Sequence, residues 1–212
     1  MAHSTDLQYF AWGIDRPDAM QQRLELRDEH WAFLDRFEDR LLARGPALYD
    51  ADPKRVLGSI HVVELEDDAE ARHFAFDEPF AKNGVSSDVV LTKYRYDLGR
   101  TQFEYDGNAD SPRFFVHCPA ANPGTDPPPD VAAAHEAHCA AFDTHVVCQG
   151  ALLDESGDWA GRIFLEAPDR ATVETFIAGD SCTRAGFRSD TAIHRWTKGG
   201  AANLKAVGLM QR

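Results

Sequence analysis

The chain repeats one pattern at an interval of 105 residues, and that repeat limits the fold more than any other feature. His30-Trp-Ala-Phe-Leu leads to Gly45-Pro-Ala-Leu-Tyr-Asp50, and His135-Glu-Ala-His-Cys leads to Gly150-Ala-Leu-Leu-Asp154. In both copies the histidine precedes the glycine by fifteen positions. The register continues with a slip of two or three residues. Gly58-Ser-Ile-His-Val-Val-Glu matches Gly161-Arg-Ile-Phe-Leu-Glu, and Phe76-Asp-Glu-Pro-Phe with Gly84 matches Ala178-Gly-Asp-Ser-Cys with Gly186. A polar residue kept in both copies has survived two divergent settings, so the repeat also sorts candidate residues from decoration.

The order of elements is the same in each copy. In the first, Leu7 to Gly13 is aromatic-rich and reads as a strand. Arg16-Pro17-Asp18 opens a helix whose apolar positions, Met20 to Leu41, keep helical spacing. Strands follow over Leu41–Leu48, interrupted at Gly45-Pro46, and over Val56–Leu65. A helix from Asp67 to Phe76 carries acids in its first turn, which suits its dipole, and Asp88–Tyr96 is a last strand. The second copy gives a strand at Arg113–Cys118, a helix at Pro129–Phe142, strands at His145–Leu153 and Trp159–Ala167, a helix from Asp169, and a strand at Thr191–Trp196. Each copy is β-α-β-β-α-β. The expected fold class is α+β, with two tandem ferredoxin-like domains whose sheets pack on each other as an intramolecular pseudo-dimer. The expected units are residues 1–105 and 113–197, a polar linker at 106–112, and a tail at 198–212 whose Leu204, Val207, Leu209 and Met210 are apolar enough to dock.

Net charge is −13, and both copies share it. Residues 1–105 hold 13 Lys+Arg against 21 Asp+Glu, a net of −8; residues 106–212 hold 9 against 14, a net of −5. With no basic run to displace counterions, nucleic acid is not an expected partner, nor is an anionic membrane surface. No apolar run is long enough to span a bilayer, and the start lacks the basic and apolar regions of a secretion signal. Cys118, Cys139, Cys148 and Cys182 all lie in the second copy without C-x-x-C spacing. They read as buried reduced thiols, and the expected location is the cytoplasm. His135-x-x-His138, with His145 nearby, has the i, i+3 spacing of two metal ligands, but Phe33 stands at the matching place in the first copy. Neither metal nor cofactor is expected. Tyr9, Trp12, Trp31, Phe33 and Phe37 read as packing, with a few available to wall a ligand pocket.

Arg27-Asp-Glu-His30-Trp-Ala-Phe-Leu34, Arg40-Leu-Leu-Ala-Arg-Gly-Pro46, and Glu78-Pro-Phe with Gly84 resemble the YciI-like family. That family carries Arg-Pro-x-His-x-x-x-Leu, a Gly-Pro on the second strand, and Asp-Pro-Phe/Tyr before a glycine. The resemblance implies a dimeric α+β barrel and a His–Asp pair in a small cleft. Some members resemble dehydrochlorinases of chlorinated aromatic breakdown, and the wider superfamily includes muconolactone isomerases and cofactor-free monooxygenases. Carried over, the histidine falls on His30 and His135 and the acid on Glu78 and Asp180. The first copy has Glu for Asp and Asp28 in place of the proline. The second has Ser181 in place of proline, and Ala132 where the first has Arg27.

A histidine held by a carboxylate is a proton-transfer unit, because the acid fixes the tautomer and stabilises imidazolium. No Gly-x-Ser-x-Gly occurs and no cysteine is shared by the copies, so covalent nucleophilic catalysis has no candidate. The expected activity is a lyase, isomerase or dehydrochlorinase acting on a small molecule, possible substrates including an anionic ring compound held by Arg27. The alternative is a non-catalytic ligand-binding or regulatory module. Both readings leave a further homodimer open.

Overall fold

A computed structural model of the chain describes residues 7–96, 98, 100–108, 111–122, 125–153, 159–206 and 208–209. The first copy comprises β1 (Leu7–Asp15), α1 (Met20–Glu25), α2 (Arg27–Leu34), β2 (Leu41–Leu48), β3 (Val56–Leu65), α3 (Asp68–Phe76), α4 (Pro79–Lys82) and β4 (Ser86–Tyr96). The second comprises β5 (Arg113–Cys118), α5 (Pro129–Ala141), β6 (Val146–Leu153), β7 (Trp159–Glu166), α6 (Arg170–Gly179), α7 (Ser181–Arg184) and β8 (Ala192–Trp196), and α8 (Ala201–Ala206) follows it.

The strands run β1-β3-β2-β8-β5-β7-β6-β4 around a closed barrel. Each copy supplies one ferredoxin-like sheet, β4-β1-β3-β2 or β8-β5-β7-β6. Two antiparallel seams join them. At one, Ala47 pairs with Trp196 and Leu48 with Arg195; at the other, Lys93 to Tyr96 pair with Leu153 to Gly150. Closure leaves neither sheet with an open edge.

Period-2 alternation divides the strands between the barrel interior and the helices. On β1, Phe10 and Trp12 point inward to a cluster with Ile60, Val62, Tyr94, Phe115 and Trp196. Tyr9 and Ala11 point outward, beneath Phe33, Phe37, Phe74 and Ala75. On β5, Phe115 faces inward, while Phe114 and Val116 meet Cys139, Val173 and Phe176 under α5 and α6. Burying such a side chain stabilises the fold by roughly 1.5–3 kcal/mol.

The structure departs from the sequence reading in three places. The single long helix expected before β2 is broken: α1 and α2 meet at Leu26, and a 3-10 stretch at Asp35–Arg40 follows. Neither α1 nor α2 has a side-chain cap at its start, and the tighter turn brings Phe37 edge-on to Phe74 at 5.0 Å. Strand β2 runs through Gly45-Pro46 without interruption, and the Pro46 carbonyl accepts from Thr197 N–H at 3.3 Å. The one-turn helices α4 and α7 are too short to leave a periodic signature in the sequence.

Candidate functional site

His30 lies on the inner face of α2 beside Phe33 and Leu34, because positions i, i+3 and i+4 share one helix face. Glu78 follows α3 and caps α4, its carboxylate accepting from Phe80 N–H (3.0 Å) and Ala81 N–H (3.1 Å). Pro79 opens that turn and Gly84, at φ 72°, ends it. The same carboxylate meets His30 Nδ1. The second copy builds the same arrangement. Asp180 caps α7, Gly186 has φ 78°, and His135 Nδ1 lies 2.6 Å from Asp180 Oδ1. In both copies the acid therefore binds helix N–H groups and the histidine together.

The two pairs differ in electrostatics. Burial lowers the His30 pKa, and the attraction of Glu78 does not recover it; Arg23 and Arg44 push it further down. Burial raises the Glu78 carboxyl, but the His30 hydrogen bond and the Phe80 N–H outweigh it, and the acid sits below its ordinary value. His30 is thus a neutral imidazole at neutral pH, donating through Nδ1 to an ionised Glu78 and leaving Nε2 for a ligand. At His135, burial also pulls downward, yet the Asp180 hydrogen bond and Cys139 raise the ring to about 9. Burial pushes Asp180 up, but His135 and Arg188 bring it to about 2. The second pair is an ion pair at neutral pH.

His30 lines a cleft of about 660 Å³, open mouth included, between α1, α2, β2, β3 and the C-terminal segment. Its ring stacks on Phe80, with centroids 4.0 Å apart and planes at 14°. Trp31, Leu34, Leu204 and Leu209 supply apolar wall. Among the described residues three arginines line the cleft and no carboxylate does. Arg23 is committed within the protein: it bonds both Asp15 oxygens (2.8 and 3.1 Å) and Ser59 Oγ (2.6 Å), and its guanidinium lies 4.4 Å over Phe80. Arg27 sits toward the mouth, 2.9 Å from Asp28 and 5.1 Å over Trp31. Arg44 and His61 face each other across β2 and β3. Burial pushes His61 down to about 3, so it stays neutral.

The second pocket, about 1880 Å³ with its open volume, differs in kind. His135 and Cys139 line it with Asp126, Glu136, Asp143 and Arg95, and Gln149 takes the place of Arg44. His138 and His145 do not join His135. The His138 ring bonds the Phe176 carbonyl (2.8 Å) and the His145 ring the Glu166 carbonyl (3.1 Å). Cys182 brings a third potential metal ligand within 4.8 Å of His135 and Asp180, but the His135–Asp180 bond and Arg188, 3.4 Å from Asp180, already satisfy the acid.

Sequence reasoning missed Arg23, Arg44, His61 and the placement of the C-terminal segment. Arg44 adjoins the Gly-Pro pair, but only strand register reveals that it shares a cleft with His30.

The model of the YCII-related domain matches residues 7–95. An uncharacterized protein of Haemophilus influenzae is 30% identical over 95 residues, covering 42% of this chain and 97% of that protein. Among solved structures, 5-chloro-2-hydroxyhydroquinone dehydrochlorinase from Burkholderia phenoliruptrix AC1100 is 25% identical, with TM-score 0.39, over 42% of this chain and 95% of that one. Chlorite dismutase from Candidatus Nitrospira defluvii, in complex with imidazole, has TM-score 0.59 at 9% identity over 91% of this chain and 92% of that one. This last likeness shows a shared fold and nothing further. The first-copy match, together with near-complete coverage of the Haemophilus influenzae relative, places the chain in the YCII-related domain family.

Proposed function

We propose that the chain is a small-molecule enzyme of lyase, isomerase or dehydrochlorinase type, working without a cofactor, with His30 as its proton-transfer group and Glu78 as the residue that orients it. The supporting observation is that His30, which lines a partly apolar cleft, pairs through Nδ1 with Glu78 behind it. A neutral imidazole takes a proton through Nε2 from a carbon beside a carbonyl or from a hydroxyl group. Glu78 stabilises the imidazolium, which returns the proton to another carbon or to a leaving atom. Positioned proton transfer of this kind supplies about 10²–10⁴-fold in rate. The substrate class is a small ring compound, anionic in character. The organisation proposed is two units, residues 1–105 and 113–197, of which only the first turns over. Residence in the cytoplasm belongs to the same proposal, on the four buried cysteines, none of them in a disulfide.

A specific observation favours a second reading for the other copy. His135, raised to about 9, already holds its proton at neutral pH and cannot act as a base there. That pair fits a structural or ligand-binding role.

Proton NMR in D₂O tests the reading. Lactones, hydroxyquinones and aromatic acids are incubated with wild type, His30→Gln and His135→Gln, each checked for binding by thermal shift. Exchange or turnover lost in His30→Gln, with binding retained and His135→Gln active, supports it. Binding without exchange in every variant would replace the enzyme with a ligand-binding module.

A further inference from the structure

We infer that Arg44 is the anion anchor of the first cleft, and that the ligand it selects is a ring compound bearing a carboxylate; this rests on the reading of that cleft as a small-molecule site. Arg44 is mostly buried, its side chain retaining 14% of its exposure. Its Nε is fully buried and has no hydrogen-bond partner among the described residues. The nearest carboxylate, Asp35, is 4.0 Å from Nη1 and itself largely exposed, too long for a hydrogen bond. A guanidinium is always charged, so a mostly buried one with an unbonded Nε and one loose ion pair is less stable than one held by a carboxylate at hydrogen-bond distance. The other two arginines of the cleft have partners in place: Arg23 on Asp15 and Ser59, Arg27 on Asp28 and Trp31.

The surroundings fit a planar carboxylate. A guanidinium fork binds one through two parallel N–H groups, a geometry that lysine cannot reproduce. The chain carries a net charge of −13, yet among the described residues no acid lines this cleft, so the local charge opposes the global one. The C-terminal segment completes the subsite from the far side. Gly199 N–H donates to the Arg44 carbonyl at 2.8 Å, and Leu204 and Leu209 cover apolar space beside it. Trp31 and Leu34 supply further apolar wall for a ring. The second copy has Gln149 in place of Arg44, and Asp126, Glu136 and Asp143 line its pocket beside Arg95, so its described lining carries more acid than base.

The test is titration calorimetry with benzoate and salicylate, and with benzamide and salicylamide as neutral counterparts. The proteins are wild type, Arg44→Gln, Arg44→Lys, Arg27→Gln and His30→Gln. Wild type is expected to favour each carboxylate over its amide by at least about tenfold. Arg44→Gln should bring that ratio near one, Arg44→Lys should keep part of it, and Arg27→Gln should leave it within about threefold. Removing a mostly buried charge whose ion pair with exposed Asp35 is 4.0 Å long should leave the unliganded melting temperature of Arg44→Gln unchanged or raised, which separates lost binding from lost folding. A preference that survives in Arg44→Gln, a preference abolished by Arg27→Gln, or no carboxylate binding to wild type would each overturn the inference. His30→Gln distinguishes the two readings: carboxylate binding intact there, with no turnover in wild type on any substrate, would sink the enzyme and leave the anchor standing.

Discussion

Gly45 lies so close to Thr197 that a Cβ built on it would stand 1.9 Å from the Thr197 carbonyl oxygen. Its counterpart Gly150 has the same relationship to Arg95, with 2.2 Å to that carbonyl. These are the glycines that recur fifteen residues after each histidine, and both sit where one sheet receives the last strand of the other. Neither neighbouring atom is a flexible side-chain end, so the backbone itself must shift to admit a methyl group. Gly45→Ala and Gly150→Ala are each expected to destabilise by about 1–3 kcal/mol, read from denaturant midpoints. An unchanged midpoint in both would show that the seams are looser than the strand pairing indicates.

The catalytic proposal gives a pH profile with a definite sign. His30 must be neutral to accept a proton, and burial holds its pKa below the ordinary 6.5. The rate should be flat from neutral pH upward and fall on the acid side, with a midpoint under 6.5. His30→Gln should lose about 10²–10⁴-fold in kcat. Glu78→Gln should lose less rate but about 1 kcal/mol of stability, because it also weakens the cap on α4.

Stability should respond to pH in opposite directions at the two histidine environments. For His135 the folded value, about 9, lies above the unfolded 6.5. Its contribution is complete below about 6.5 and disappears as pH rises through 9. The difference between wild type and His135→Gln, on the order of 2–3 kcal/mol at pH 6, should shrink steadily by pH 10 in urea titrations.

For His61 the folded value, about 3, lies below 6.5. Its neutral ring is tolerated above 6.5, and stability is lost as pH falls toward 3, because only the unfolded chain takes up the proton. His61→Phe should move acid unfolding to lower pH, measured by circular dichroism. Phenylalanine suits the site, since His61 already meets Phe74 edge-on at 5.5 Å.

Much of this architecture was legible because the repeat doubled the signal. Val56–Leu65 and Arg113–Cys118 have the predicted bounds, since alternation and flanking turns mark both ends. The two seams were not legible: four residue pairs at one and two at the other leave no periodicity. The histidine and acid positions stood out in both copies, but their opposite charge states did not, because those depend on depth and on neighbours such as Cys139 and Arg44. Arg44 was hidden for a similar reason. One arginine in a strand reads as an exposed residue until cross-strand register sets it against His61 and the cleft.

The pairing of β2 with β8 and of β4 with β6 also bears on inheritance. Two identical subunits assembled this way would carry every substitution twice, once in each site, since a two-fold interface uses the same surface on both partners. With both halves encoded in one reading frame, a codon change alters one pocket and spares the other. Arg44 against Gln149, Arg27 against Ala132 and Glu78 against Asp180 are differences that a symmetric assembly of identical chains could not hold. A single chain that carries both halves can vary each cleft alone.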